Sequence, residues 1–229
     1  MEPGCVKVPI NSDNYGRFYT REKGSIGLGG MVDRQDKVLA IAKRKGILRV
    51  KDLHAAGIHP EYLRRLCEKG VLAKIGRGLY MPADAQPSAN ISLAQAARRV
   101  PHGVVCLLSA LRFHGIGTAN PFEVWMALAR GVRRPRVEYP PLRTMRFSGK
   151  ALMEGVERHR IESVQVQVYG PAKTVADCFK YRNKIGLDVA LEALRDCLQS
   201  RKCTRDQLWQ YAKICRVTEV MRPYLEVLL

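Results

Sequence analysis

The sequence predicts an α/β protein, an N-terminal winged helix-turn-helix followed by a mixed α/β domain with a central β-sheet and C-terminal helices. Three observations carry that prediction. Short amphipathic helical patterns and a glycine-turned hairpin succeed one another between residues 33 and 82. The stretch "PADAQPSAN" then breaks all periodicity. Beyond it, two helical patterns and then a series of strand-like runs precede a helical C-terminus. The expected organisation is a flexible N-terminal extension over residues 1–30, a winged helix-turn-helix over 31–82, a linker over 83–90 and an α/β domain over 91–229.

Residues 1–30 are polar and Gly-rich with no sustained period, and Met31 is a second candidate start. From Asp33, "DRQDKVLAIAKRKG" sets Val38, Leu39, Ile41 and Ala42 on one side, with Asp33 as N-cap and Gly46 as stop. A second helix over about residues 50–56 ends at Gly57. Pro60 suits the first turn of a third, where a missing N–H costs nothing. In that helix Leu63, Leu66 and Cys67 fall at i, i+3 and i+4 and face inward, so Glu61, Arg64, Arg65 and Glu68 face outward. "VLAKIGRGLYMP" reads as two strands turning through Gly76, Arg77 and Gly78.

In the second domain, residues 92–100 and about 104–113 read as helices split by Pro101. "FEVWMALA", "TMRFSG", "VERHRI" and "VQVQVYG" read as strands. The last alternates Val164, Val166 and Val168 with Gln165 and Gln167, the cleanest period of two in the chain. "LDVALEALRDCL" aligns Leu187, Ala190, Leu191, Leu194 and Leu198 as a helix. "TRDQLWQYAKIC" opens with a capping box, Thr204 with Gln207.

Composition narrows the function. Thirty-nine Lys and Arg against 21 Asp and Glu give a net charge of +18 over 229 residues. Such a balance favours polyanions, because each neutralised phosphate releases condensed counterions. Nucleic acid leads and an anionic membrane surface is second. A membrane-spanning helix is excluded by the longest apolar run, "VVCLLSAL", far short of the ~20 residues a span requires. No apolar N-terminal segment marks secretion, so the cytoplasm is the expected location. Seven cysteines without a C-x-x-C pair argue against a disulfide framework and a zinc site. Cys67, Cys106, Cys178, Cys197 and Cys215 read instead as small buried hydrophobes.

The third helix and its hairpin carry the chemistry. A recognition helix puts long side chains on base edges in the major groove. Arg64 and Arg65 are able to donate bidentately to guanine, and Tyr62 to stack or reach a phosphate. Arg77, framed by two glycines, is able to approach a groove closely. Arg49, Lys51, Lys69 and Lys74 are candidate phosphate contacts, which position without specifying. A second basic cluster comprises Arg130, Arg133, Arg134, Arg136, Arg143 and Arg146. It reads as a second nucleic-acid surface, a docking strip for an acidic partner, or an exposed solubilising loop. Catalytic signals are weak: Asp177 and Glu192 form no obvious metal pair, and His54, His59, His102, His114 and His159 are scattered. No G-x-S-x-G, Walker A or H-E-x-x-H motif occurs. No cofactor, metal or enzymatic activity is expected.

"LRRLCEKGVLAKIGRGLY" resembles the helix and wing of the AbiEi antitoxins of type IV abortive-infection toxin–antitoxin systems. "SALRFHGIG", "GPAKTVADCFKYRNKIGLDVALEAL" and "QLWQYAKICRV" are similar to that family's C-terminal region, with Lys173 where members often carry Arg. The resemblance covers about residue 33 to the C-terminus. It implies an autoregulatory repressor that binds inverted repeats in the promoter of its own operon. It also implies a C-terminal domain that counters a nucleotidyltransferase-like toxin, without requiring a direct antitoxin–toxin complex. The competing readings are a nuclease or nucleotidyltransferase targeted by the winged helix, and a stand-alone regulator.

Overall fold

Two antiparallel or mixed sheets organise the chain, a small one of three strands and a larger one of five. The computed structural model describes residues 28–227, with side chains from residue 34. The extension expected over residues 1–30 falls outside the described residues except at its last three positions, which open the first helix.

The winged unit runs α1 (Leu28–Lys45), β1 (Leu48–Arg49), α2 (Val50–His54), α3 (Glu61–Glu68), β2 (Leu72–Gly76) and β3 (Leu79–Pro82). Helix α1 begins five residues before the expected Asp33 cap, and Pro60 is the residue that caps α3 rather than its first helical position. The sheet has the order β1-β3-β2, all antiparallel. Strand β1, which pairs Leu48 with Tyr80, has no counterpart in the sequence reading, since two residues carry no period. Val38, Ala42, Leu48, Leu53, Leu63, Leu66 and Leu72 close its core. Three helices and a three-stranded wing sheet make the expected winged helix-turn-helix.

The second unit runs α4 (Ile91–Arg99), β4 (Val104–Val105), α5 (Leu107–His114), β5 (Val124–Ala129), β6 (Leu142–Phe147), α6 (Lys150–Met153), β7 (Val156–Ile161), β8 (Val164–Tyr169), α7 (Pro171–Lys180), α8 (Arg182–Ile185), α9 (Leu187–Gln199), α10 (Arg205–Cys215) and α11 (Thr218–Val227). Its sheet has the order β6-β5-β4-β8-β7, with β5–β6 and β4–β8 parallel and the other pairs antiparallel. Val104 and Val105, read as the start of a helix, are instead the central strand. Their neighbours on both sides bury them, and Val104 and Val105 serve opposite faces of the sheet.

Strand β5 is buried along its length and alternates between the two faces. Trp125 and Ala127 belong to the core shared with α5, α7, α9, α10 and α11, while Val124, Met126 and Leu128 belong to the core shared with α4. Such continuous burial is what a central strand covered on both sides requires. The expected alternation of β8 holds: Val164, Val166 and Val168 are buried and Gln165 is exposed. The capping box opens α10 as expected, the Gln207 N–H donating to Thr204 Oγ1 and the Thr204 N–H to Gln207 Oε1. In α9, Ala190, Ala193, Leu194 and Cys197 form the buried stripe, and Leu187 lies at the exposed end. Cys197 is buried as expected, and it pairs with Cys203 in a disulfide across the turn to α10. Cys106, Cys178 and Cys215 are buried and free as expected, and Cys67 is half-buried. Among the described residues no helix is long and apolar enough to cross a membrane.

Candidate nucleic-acid interface

Helix α3 buries Leu63 and Leu66, and that fixes Arg64 and Arg65 on the opposite, exposed side. The two arginines differ in their company. Arg64 Nε and Nη2 donate to Glu61 Oε1 at 2.8 and 2.5 Å, and Nη1 donates to Glu68 Oε1. The hydrogen bond from Arg64 holds the Glu61 carboxyl below its usual range. The Arg65 side chain has no hydrogen bond or ion pair among the described residues, so its fork is available to a ligand. Tyr62 packs its ring against the winged core. Lys51, Lys69 and Lys74 are exposed on α2, at the end of α3 and on β2.

Arg77 stands at the wing tip with its side chain 80% exposed. Gly78 follows with φ of +67°, a left-handed turn conformation that a side chain disfavours. Arg77 Nη1 donates to Glu138 Oε1 at 2.8 Å, and Glu138 lies on the loop between β5 and β6. That loop carries Arg133, Arg134 and Arg136, all exposed. The loop that carries the second basic cluster thus touches the wing tip through Glu138.

The second cluster divides along the sheet. Because β5 and β6 are parallel, the loop must return the length of a six-residue strand, ~20 Å. Arg130 and Arg146 lie at the far end of the strands, where Arg146 Nη1 donates to the Ala129 carbonyl at 3.0 Å. Arg143 donates to Glu123 at 3.0 Å and its guanidinium lies 4.5 Å from the Trp125 ring centroid. Arg143 and Arg146 are therefore engaged with their own sheet, whereas the loop arginines are not.

Arg49 sits elsewhere. Its Nη1 donates to the Arg98 carbonyl at 2.8 Å, within a joint between the winged unit and α4. Gln95, Arg98 and Arg99, at i, i+3 and i+4 on α4, each donate to a carbonyl of the winged unit. Gln95 Nε2 reaches Ile75 at 3.2 Å, Arg98 Nε reaches Ile47 at 2.9 Å, and Arg99 Nη2 reaches Arg77 at 2.6 Å. Asp52, nearly buried, accepts from Lys45 Nζ at 2.6 Å and from the Arg49 N–H at 2.8 Å. Burial pushes its carboxyl up, but the Lys45 and Arg49 hydrogen bonds and the Arg98 charge outweigh this and hold it below the usual range. Ile47 and Leu79 are buried against α4 and the large sheet. Sequence reasoning missed this joint, although the polar i, i+3, i+4 stripe on an otherwise Ala-rich helix was its signal.

Asp177 is wholly buried. Lys173 Nζ donates to its Oδ2 at 2.5 Å, and Cys215 Sγ donates to Oδ1 at 3.2 Å. The ammonium also lies 4.2 Å from the Tyr169 ring centroid. Burial raises the Asp177 carboxyl against the pull of Lys173, and pushes the Cys215 thiol up to about 12. Glu192 accepts from the Thr118 N–H at 3.0 Å. His114, half-buried, donates from Nε2 to the Tyr169 carbonyl at 2.8 Å, and burial lowers its pKa. Among the described residues no three His, Cys, Asp or Glu side chains are grouped to hold a metal ion.

The fold has a solved likeness. The crystal structure of RV2827C protein from Mycobacterium tuberculosis superposes with a TM-score of 0.55, covering 80% of this chain and 71% of that chain at 16% sequence identity. At that identity the likeness is one of fold. No curated protein matches the chain. Residues 36–83, from within α1 to just past the wing, match the family described as transcriptional regulator, AbiEi antitoxin, so the resemblance read from the sequence holds over the winged-helix unit.

Proposed function

We propose that this chain is an autoregulatory DNA-binding repressor and antitoxin, acting in the cytoplasm by occupancy rather than catalysis. The observation that carries the reading is an outward Arg65 on α3 in a winged unit whose exposed tip residue, Arg77, is contacted through Glu138 by the arginine-rich loop. A helix in the major groove and a basic wing beside it suit duplex DNA. Arg65 is the base-reading residue, with Arg64 joining it once Glu61 and Glu68 release it. Lys51, Lys69 and Lys74 contact phosphates, and Arg133, Arg134 and Arg136 extend that contact from the second unit. The operator is an inverted repeat in the promoter of its own operon. The second unit counters a nucleotidyltransferase-like toxin, with no stable antitoxin–toxin complex required.

The test is fluorescence anisotropy with the duplex upstream of the operon against a shuffled duplex, paired with toxin co-expression. Tighter binding to the promoter duplex and rescue of growth are expected. Equal affinity for both duplexes would remove the repressor role, and continued growth arrest would remove the antitoxin role.

A further inference from the structure

The joint between the two units does more than hold them. It leaves an open cleft of about 340 Å³, lined by Arg44, Lys45, Arg49 and Arg98 on one side and by Ser163, Gln165 and Gln167 on the other. The four cations come from α1, β1 and α4, three separate elements, and converge through folding rather than through a run in the sequence. Among the described residues, Asp52 alone neutralises them at close range, and it is shared by Lys45, Arg49 and Arg98 at 2.6, 3.6 and 3.4 Å. The cluster therefore keeps an excess of positive charge in a concave, partly desolvated place, where an anion is attracted more strongly than on an open surface.

From this geometry we infer that the cleft is a binding site for paired phosphates. The Arg44 guanidinium and the N–H groups of Lys45, Arg49 and Arg98 that the joint leaves over suit oxygens a few ångströms apart. The apolar lining is limited to Ala97, Pro101 and Val164, too little to select a base. Recognition is therefore of the phosphates themselves. They come either from the di- or triphosphate chain of a free nucleotide or from neighbouring phosphodiesters of a nucleic-acid strand. An adjoining cleft lined by Arg158, His159 and Arg160 shares Ser163 and Gln165 with this one and extends the basic surface along the β7–β8 hairpin. The inference stands apart from the reading of α3 and the β2–β3 hairpin, because none of the lining residues lies on either.

Inorganic pyrophosphate is the probe, titrated into the full-length protein by calorimetry at fixed ionic strength. Arg44 is exposed and takes no part in the joint's hydrogen bonds, so Arg44→Glu spares the fold; Gln165→Glu is the second variant. Saturable binding is expected in the wild type, about tenfold weaker in each variant, as removal of a charge-assisted hydrogen bond implies. It should be unchanged in an Arg133/Arg134/Arg136→Ala control. Absence of saturable binding overturns the site, as does equal affinity in wild type and both cleft variants, or an equal loss in the control. Anisotropy with promoter DNA then assigns the source. Weaker DNA binding by both cleft variants, with pyrophosphate competing, identifies phosphodiesters. Unchanged DNA binding identifies a free phosphorylated ligand.

Discussion

Helices α3 and α7 each carry a basic residue one turn from a carboxylate, yet the two pairs serve opposite ends. On α3, Arg64 is held between Glu61 and Glu68 with all three side chains in solvent. On α7, Lys173 and Asp177 have no exposed surface at all. Water screens the first set, so an arriving phosphate can outcompete it. The second pair cannot separate, because either charge left alone in the core has nothing to replace its partner. Spacing alone therefore does not tell a binding residue from a structural one. Burial does.

The largest effect should come from breaking the buried pair. Lys173→Met or Asp177→Ala alone is expected to cost about 3–5 kcal/mol of stability in urea unfolding, since each leaves an uncompensated charge. The double variant Lys173→Met/Asp177→Leu should recover most of that loss. A single-variant cost under ~1 kcal/mol would show that the pair does not hold α7.

Next comes the joint. A Cβ on Gly46 would stand 1.4 Å from the Glu162 carbonyl oxygen, and the residue has φ of +66°. Gly46→Val should therefore unseat the winged unit, costing about 3 kcal/mol and splitting one thermal transition into two. A single transition at the wild-type temperature would mean that the close approach is not part of the native seating.

The exposed side of the comparison is read by DNA binding. Arg65→Ala should weaken promoter binding by ~1–3 kcal/mol and blunt discrimination against shuffled DNA, with no change in melting temperature. Arg64→Ala should cost less, because Arg64 must first leave two carboxylates, and Glu61→Gln with Glu68→Gln should tighten binding by freeing it. Equal losses for Arg64→Ala and Arg65→Ala would show that the carboxylates do not hold Arg64 back.

The smallest effect is expected from the loop. Arg133/Arg134/Arg136→Ala should flatten the slope of log K against log salt by about 0.9 for each phosphate no longer neutralised, with specificity nearly unaltered. An unaltered slope with impaired growth rescue would make the loop a docking strip for a protein partner.

Much of this molecule was legible where a single period dominates. The alternation of β8, the capping box of α10 and the inward Leu63 and Leu66 all follow from local rules. Legibility failed where a residue's role is set by distant partners. Val104 and Val105 sit in an apolar run that serves a helix as well as a strand, and only the flanking β5 and β8 decide between them. Arg49 resembles any surface cation until Arg98, 49 positions along the chain, is brought against it by folding. The hydrogen bond of Arg77 with Glu138 spans 61 positions and leaves no trace in either segment.

The joint has one consequence for how such a protein can change. Helix α4 grips the winged unit by the carbonyls of Ile47, Ile75 and Arg77, which every residue type supplies alike. Side chains on α3 can therefore be exchanged, altering the DNA sequence preferred, while the grip persists. Separating the holding surface from the reading surface lets a new operator preference arise by substitution alone, without a compensating change in the second unit.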